Sequence, residues 1–271
     1  MTNIEKKYPR IIVITSGKGG VGKTTVTANL GISIAQLGYK VALIDADVGL
    51  RNLDLILGLE HKIFFNAIDV LEGTCGLNQA LIIDNRFKNL AFLSLAKKKQ
   101  RYNFTFKIME NLMEAIGSYG FEFILIDCPA GVDIGFINAI AAAKEAILVA
   151  TPQITSIRDA DRVASLLQIN GIYDFKILIN GIRSSFIKNK HLIPVKDVQK
   201  MLCAPLIGAI PEDKEVLLSI NKGEPLVLNK NLSLSGLAFE NAARYFLGKD
   251  DYLIDVENYL FTSLYKIKRS I

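Results

Sequence analysis

Gly17-Lys18-Gly19-Gly20-Val21-Gly22-Lys23-Thr24 stands just after the apolar run Ile11-Ile12-Val13-Ile14 and opens a helical pattern from about Lys23 to Leu37. The stretch satisfies G-x-x-x-x-G-K-[ST] in the strand-loop-helix setting that gives this motif its meaning. Its glycines let successive backbone N–H groups turn inward around phosphate oxygens, and the following helix adds the positive end of its dipole. Lys23 is then placed on the β- and γ-phosphates. The Thr24 hydroxyl, with Thr25 beside it, opens the helix where Mg2+ accompanies a nucleotide. The alternative is a glycine-rich turn that holds nothing.

Outward from that loop, short apolar runs recur at Val41-Ala42-Leu43-Ile44, Leu90-Ala91-Phe92-Leu93, Phe123-Ile124-Leu125-Ile126, Ala146-Ile147-Leu148-Val149-Ala150, Phe175-Lys176-Ile177-Leu178-Ile179 and Leu206-Ile207-Gly208-Ala209-Ile210. Helical stretches separate most of them, which is how strands buried on both faces read. Such alternation needs crossover helices. It predicts an α/β fold: a single-domain, doubly wound, mostly parallel sheet with its ligand at the carboxyl ends of the strands.

Composition agrees. The 271 residues are 50% hydrophobic with only 7 prolines, which suffices for one large core and excludes disordered and collagen-like classes. Lys+Arg 32 against Asp+Glu 27 gives +5, spread along the chain, so no nucleic-acid partner is expected. The basic run Lys97-Lys98-Lys99-Gln100-Arg101 reads as a solvated loop. Cys75, Cys128 and Cys203 are odd in number and without CxxC spacing, fitting a reducing compartment. Apolar stretches are strand-length, so any membrane contact is expected to be peripheral. Met1 to Arg10 carries no apolar h-region and no Arg/Ser-rich leader, which predicts a protein that works where it is made.

Two acidic positions come directly off buried runs: Asp45, with Asp47 two residues on, and Asp127. A carboxylate at the end of a buried strand is costly unless paired or near a cation, and Mg2+ supplies one. The alternative is a helix cap or loop aspartate. After Gly248 the apolar pattern breaks at Lys249-Asp250-Asp251, dividing a phosphate-loop domain over 1–248 from a linker and tail over 249–271. In that tail Asn258 could cap a helix carrying Leu260, Phe261, Leu264, Ile267 and Ile271 on one stripe, with Lys266 and Arg269 off it. This predicts an amphipathic helix for an anionic membrane surface, with a helix packed on the domain as the alternative.

Lys18 is the departure within the loop. Lys-Gly-Gly-Val-Gly-Lys-Thr-Thr resembles the deviant Walker A loop of the MinD and ParA ATPases and their relatives. Ordered blocks then narrow the match: Asp47-Val48-Gly49-Leu50-Arg51-Asn52-Leu53-Asp54, Leu77-Asn78-Gln79-Ala80-Leu81, Asp127-Cys128-Pro129-Ala130-Gly131, Arg158-Asp159-Ala160-Asp161-Arg162 and Ile210-Pro211-Glu212-Asp213 resemble the septum site-determining MinD branch, from about Arg10 to Leu247. Pro225-Leu226-Val227-Leu228-Asn229-Lys230 is most similar to its plastid members, and heavy use of Ile, Lys, Asn and Phe suits an AT-rich organelle genome.

The resemblance implies a Mg2+-dependent ATPase, ATP to ADP and phosphate, that dimerises with ATP and helps place the division site. Lys18 would reach the partner's nucleotide in trans, Asp47 would orient the attacking water, and Asp45 and Asp127 would organise the magnesium side. Arg51 and Asn52 would lie in the first switch region. Asn180 matches the family's purine-contacting asparagine, and Pro211-Glu212 its second base-side segment, although Gly181 stands where relatives commonly have a basic residue, with Arg183 two further on. Ser156, Arg158, Asp159 and Asp161 correspond to the helix that meets partners. A MinE-like activator is implied, with a MinC partner doubtful in a plastid. The implied location is the plastid stroma, peripheral on the inner membrane, or else the inner face of a bacterial cell membrane. The rivals are a ParA-like DNA-partition ATPase, an iron-sulfur electron-transfer ATPase, which would need two suitably placed cysteines, and a nucleotide-locked scaffold.

Overall fold

The computed structural model describes residues 8–47, 52–96, 104–189 and 191–257. The described chain runs β1 (Arg10–Thr15), α1 (Lys23–Gln36), β2 (Val41–Asp45), α2 (Leu53–Leu57), a 3-10 turn (Glu60–Lys62), α3 (Ala67–Leu71), α4 (Leu77–Ala80), β3 (Ile82–Asp84) and β4 (Phe87–Ser94). It continues with α5 (Phe106–Ser118), β5 (Phe123–Asp127), α6 (Ile134–Ile140), β6 (Glu145–Ala150), α7 (Ile154–Ile169), β7 (Asp174–Ile182), α8 (Ser184–Lys188), α9 (Val195–Leu202) and β8 (Leu206–Pro211). Then come α10 (Lys214–Lys222), a second 3-10 turn (Leu226–Leu228) and α11 (Leu234–Phe246).

The eight strands form one sheet in the order β3-β4-β2-β5-β1-β6-β7-β8, parallel except for β3. β1 lies at the centre, between β5 and β6, and the chain winds outward from it on both sides. This is the topological switch point, where a doubly wound sheet opens a crevice for its ligand. Each apolar run of the sequence became a strand. β2 and β5 are buried at every residue, because helices cover both faces. α1 packs with α2 and α11 on one side, while α5 with α6 and α7 with α9 supply other helical contacts.

The edge strand β3 and the short helices α2 to α4 have no counterpart among the sequence expectations. The break after Gly248 also differs. Residues 249–257 are strapped onto the domain: Asn241 Nδ2 donates to Asp250 Oδ2 at 3.2 Å and to the Tyr252 carbonyl at 3.1 Å, and its Oδ1 accepts from the Ile254 N–H at 2.9 Å. Arg244 pairs with Asp250, Val256 is buried, and Glu257 Oε1 accepts from the Val195 N–H at 2.7 Å. Packing therefore extends to Glu257. The tail residues Leu260, Phe261, Leu264 and Ile267 lie outside the described residues.

Candidate nucleotide site

The loop from Gly17 to Gly22 joins the carboxyl end of β1 to the first turn of α1. Gly20 and Gly22 take positive φ values of 78° and 93°, a region only glycine enters freely. Gly22 caps α1 without any side-chain hydrogen bond, so the helix's leading N–H groups face the loop's concavity, the arrangement that receives phosphate. At Gly17 the loop touches α7 at backbone distance: a Cβ there would stand 2.3 Å from the Asp159 carbonyl carbon. Lys23 is buried. Lys18 turns the other way, its Nζ 3.4 Å from Thr155 Oγ1 at the start of α7.

Beside Lys23 the sheet delivers two carboxylates. Parallel pairing of β2 with β5 sets Asp45 opposite Asp127, both buried, with exposures of 2% and 1%. Burial pushes the Asp127 carboxyl up to about 6, against the opposing pull of its Thr24 hydrogen bond, the Lys23 charge and the Thr27 hydroxyl, which donates at 3.2 Å. Asp45 is raised well above the usual carboxylate range, first by burial and then by Asp127. The N–H groups of Asp47 at 3.0 Å and Leu53 at 3.4 Å relieve it in part. Two adjacent buried acids beside a threonine hydroxyl form an oxygen-rich surface that the single Lys23 charge does not neutralise, and this suits a hard cation. Among the described residues no group of three or more His, Cys, Asp or Glu could hold a metal unaided. Mg2+ commonly takes one or two carboxylates and completes its shell with water and substrate phosphate.

Along the other side of the loop runs a cleft of about 720 Å³, lined by Gly20, Val21, Thr151, Asn180, Arg183 and Glu212 among others. Asn180 Nδ2 donates to the Val21 carbonyl at 2.8 Å, tying the end of β7 to the phosphate loop. Gly181 has φ 71°, and the β7–β8 register shifts between Asn180 and Ile182. Past this irregularity Arg183 forms a bidentate pair with Glu212 and lies 5.3 Å over the Phe186 ring. The Pro211 carbonyl accepts from Ser235 at 2.9 Å, which ties the end of β8 to α11.

The structure brings together Gly17 to Thr25, Asp45, Asp47 and Asp127 at the phosphate end, with Asn180, Pro211 and Glu212 at the strand ends nearby. Asn52 is exposed at the start of α2, and Arg51 lies outside the described residues. One expected surface residue is misplaced. Ser156 is buried, its Oγ accepting from the Thr151 N–H at 3.0 Å, so it supports the cleft wall rather than a partner face. Arg158 and Asp161 are exposed, and Asp159 is half-buried with Arg162 Nη1 3.7 Å away. The expectations omitted Thr27, although it follows Lys23 by one helical turn on α1 and so falls on the same face.

A phosphate loop at the switch point of a doubly wound sheet, with acids at the neighbouring strand ends, defines a P-loop nucleotide hydrolase. The sequence family described as NUBPL iron-transfer P-loop NTPase, of the ParA group, matches residues 7–246. The septum site-determining protein MinD of Chlorella vulgaris is 63% identical over 251 residues, covering 93% of this chain and 89% of its own. The chloroplastic minD homolog of Arabidopsis thaliana is 52% identical, over 89% of this chain and 76% of its own. Among solved structures, the MinC:MinD cell division complex of Aquifex aeolicus aligns with TM-score 0.82 at 40% identity, over 90% of this chain and 98% of that one. MinD of Pyrococcus horikoshii, solved with Mg-ADP, aligns with TM-score 0.75 at 32% identity, over 90% and 100%.

The chain belongs to the MinD family of septum site-determining ATPases, which work with ATP and Mg2+. Partition ATPases of the ParA type share the fold at much lower identity, 18% for the Chlorobium tepidum protein, so the DNA-partition alternative is the less supported. The iron-sulfur alternative finds no support in the cysteines, which share no common setting: Cys128 is buried, Cys75 half-buried and Cys203 exposed.

Proposed function

We propose that this chain is a plastid division-site ATPase whose ATP-bound dimer sits peripherally on the inner membrane and is released when an activator stimulates hydrolysis. Lys23, Thr24 and the loop amides bind the phosphates in cis. Thr24 and Asp127 hold the metal, with Asp45 behind them. When bound, Mg2+ neutralises charge on the β- and γ-phosphates. Asp47 orients the attacking water, and catalysis comes from position and charge rather than covalent chemistry. Asn180, Pro211 and Glu212 border the base. A second copy completes the site through Lys18. The exposed Arg158 and Asp161 of α7 receive a MinE-like partner, while the tail beyond Glu257 meets anionic lipid, and two tails on one dimer gain by avidity.

The observation that carries this reading is the division of labour between the loop's two lysines: Lys23 is buried beside Asp127, whereas Lys18 lies outward against α7. Names of chloroplastic relatives support the location. Co-sedimentation with anionic liposomes tests the proposal. The full chain should pellet with ATP and stay in solution with ADP, Lys23→Ala should lose nucleotide, and Lys18→Ala should bind ATP yet remain monomeric in light scattering. Equal pelleting in ADP, or dimers of Lys18→Ala, would defeat it.

A further inference from the structure

Two segments flanking the nucleotide site lead into short helices that run to a common point. Past Asp45, α2 begins at Leu53, whose N–H donates to the Asp45 carboxylate, and its five residues end at the left-handed Gly58. Past Glu212, α10 begins at the Asp213 cap and ends at the left-handed Gly223. The two terminal glycines face each other without room for a side chain. A Cβ on Gly58 would stand 2.6 Å from the Gly223 carbonyl oxygen, and one on Gly223 would stand 2.7 Å from the Gly58 Cα.

Arg86, in the turn between β3 and β4, closes this junction. Its guanidinium is fixed on the buried Asp84 through Nε at 2.9 Å and Nη2 at 2.6 Å. Nη2 also donates to the Leu57 carbonyl at 2.7 Å, and Nη1 reaches the Gly223 carbonyl at 3.5 Å. Helix-terminal carbonyls carry partial negative charge, so a held cation draws both ends to one place. A helix this short cannot bend along its length. Moving its last residues therefore moves Leu53, and with it the hydrogen bond on Asp45.

We propose that Arg86 is a positioning residue for ATP hydrolysis: by clipping the ends of α2 and α10 together, it holds Asp45 and the segment following it in register with the phosphate site. This rests on the phosphate-side roles proposed above for Asp45 and Asp47. Arg86 touches no substrate. Its effect passes through α2 as a rigid strut, and the link to α10 ties the base-side end of β8 into the same junction.

Steady-state hydrolysis of Mg-ATP by the full chain, with nucleotide affinity from titration of a fluorescent ATP analogue, tests the assignment. A misplacement of the reacting groups by a fraction of an ångström predicts that kcat of Arg86→Ala falls roughly ten- to a hundredfold. KM and the dissociation constant should stay within about threefold, the signature of an interaction felt only in the transition state. The Leu53 amide should exchange hydrogen faster. Arg86→Lys, which keeps a cation for Asp84 and a donor for Leu57, should recover most of the rate. Unchanged kcat in a folded Arg86→Ala overturns the proposal, as does parallel loss of kcat, affinity and melting temperature with no recovery by lysine. If Arg86→Ala does not fold, Arg86→Gln and Arg86→Lys should show the same split at smaller amplitude, and wild-type kinetics in both overturn it. Asp47→Ala, assayed alongside, separates the two levels: normal activity there sinks the underlying role of Asp47, whereas an inactive Asp47→Ala with a normal Arg86→Ala sinks only the clip.

Discussion

Asp127 is held buried at a cost to its charged form that Thr24, Lys23 and Thr27 offset only in part. With a carboxyl at about 6 against 3.8 for an aspartate free in water, the fold binds that proton more tightly than the unfolded chain does. Its contribution to stability is therefore complete below pH 3.8 and is lost as pH rises through about 6, opposite in sign to a salt-bridged aspartate. The swing is about 3 kcal/mol, and Asp45 acts in the same direction. In urea titrations of nucleotide-free protein, wild type should lose that much relative to Asp127→Asn between pH 4 and 7, and Mg-ADP should abolish the difference in slope. A flat difference across pH would show that the carboxylate is not held this way.

At the scale of elements, the phosphate loop meets α7 backbone with no room for a side chain. The backbone of Asp159 occupies the space a Gly17 side chain would need, at 2.3 to 2.4 Å, whereas a Cβ on Gly19 meets only Ala130 at an ordinary 3.8 Å. Gly17→Ala should thus cost about 1–3 kcal/mol by forcing loop and helix apart, while Gly19→Ala leaves unfolding nearly unchanged. Equal melting temperatures for the two variants would refute the close approach. Elements also decide what the sequence revealed. The central strands were legible as continuous apolar runs, and the loop and acids were legible because they sit directly at the ends of those runs. β3 left no such trace: it has three residues, is half-exposed and lies on an edge. α2 to α4 are too short for a helical period to register. Ser156 was misread amid charged neighbours, although it shares a stripe with the buried Ala160, Val163 and Leu167. The pairing of Arg183 with Glu212 depends on a register shift that no periodicity announces.

For the molecule as a whole, the strap over residues 249–257 moves the limit of the folded unit beyond Gly248, where a change of composition suggested it. Truncation after Glu257 should leave melting temperature and ATP binding intact and remove liposome binding. Truncation after Gly248 should instead cost about 2–4 kcal/mol, since it strips the Asn241 hydrogen bonds and removes the buried Val256. Identical unfolding curves for the two truncations would mean the strap contributes nothing.

The bond from Asn180 to the Val21 carbonyl has a consequence for nucleobase choice. A carbonyl can only accept, so the amide nitrogen of Asn180 must face it, and the side-chain oxygen is left to point elsewhere. In the role proposed for it, that oxygen welcomes the exocyclic amino group of adenine and repels the keto oxygen of guanine. An unpaired acceptor facing another acceptor is among the stronger penalties a binding site can impose. GTP should therefore displace labelled ATP roughly a hundredfold less well than ATP itself, and Asn180→Ala should narrow that gap. A peptide carbonyl of the phosphate loop would in this way set which letter the machine reads.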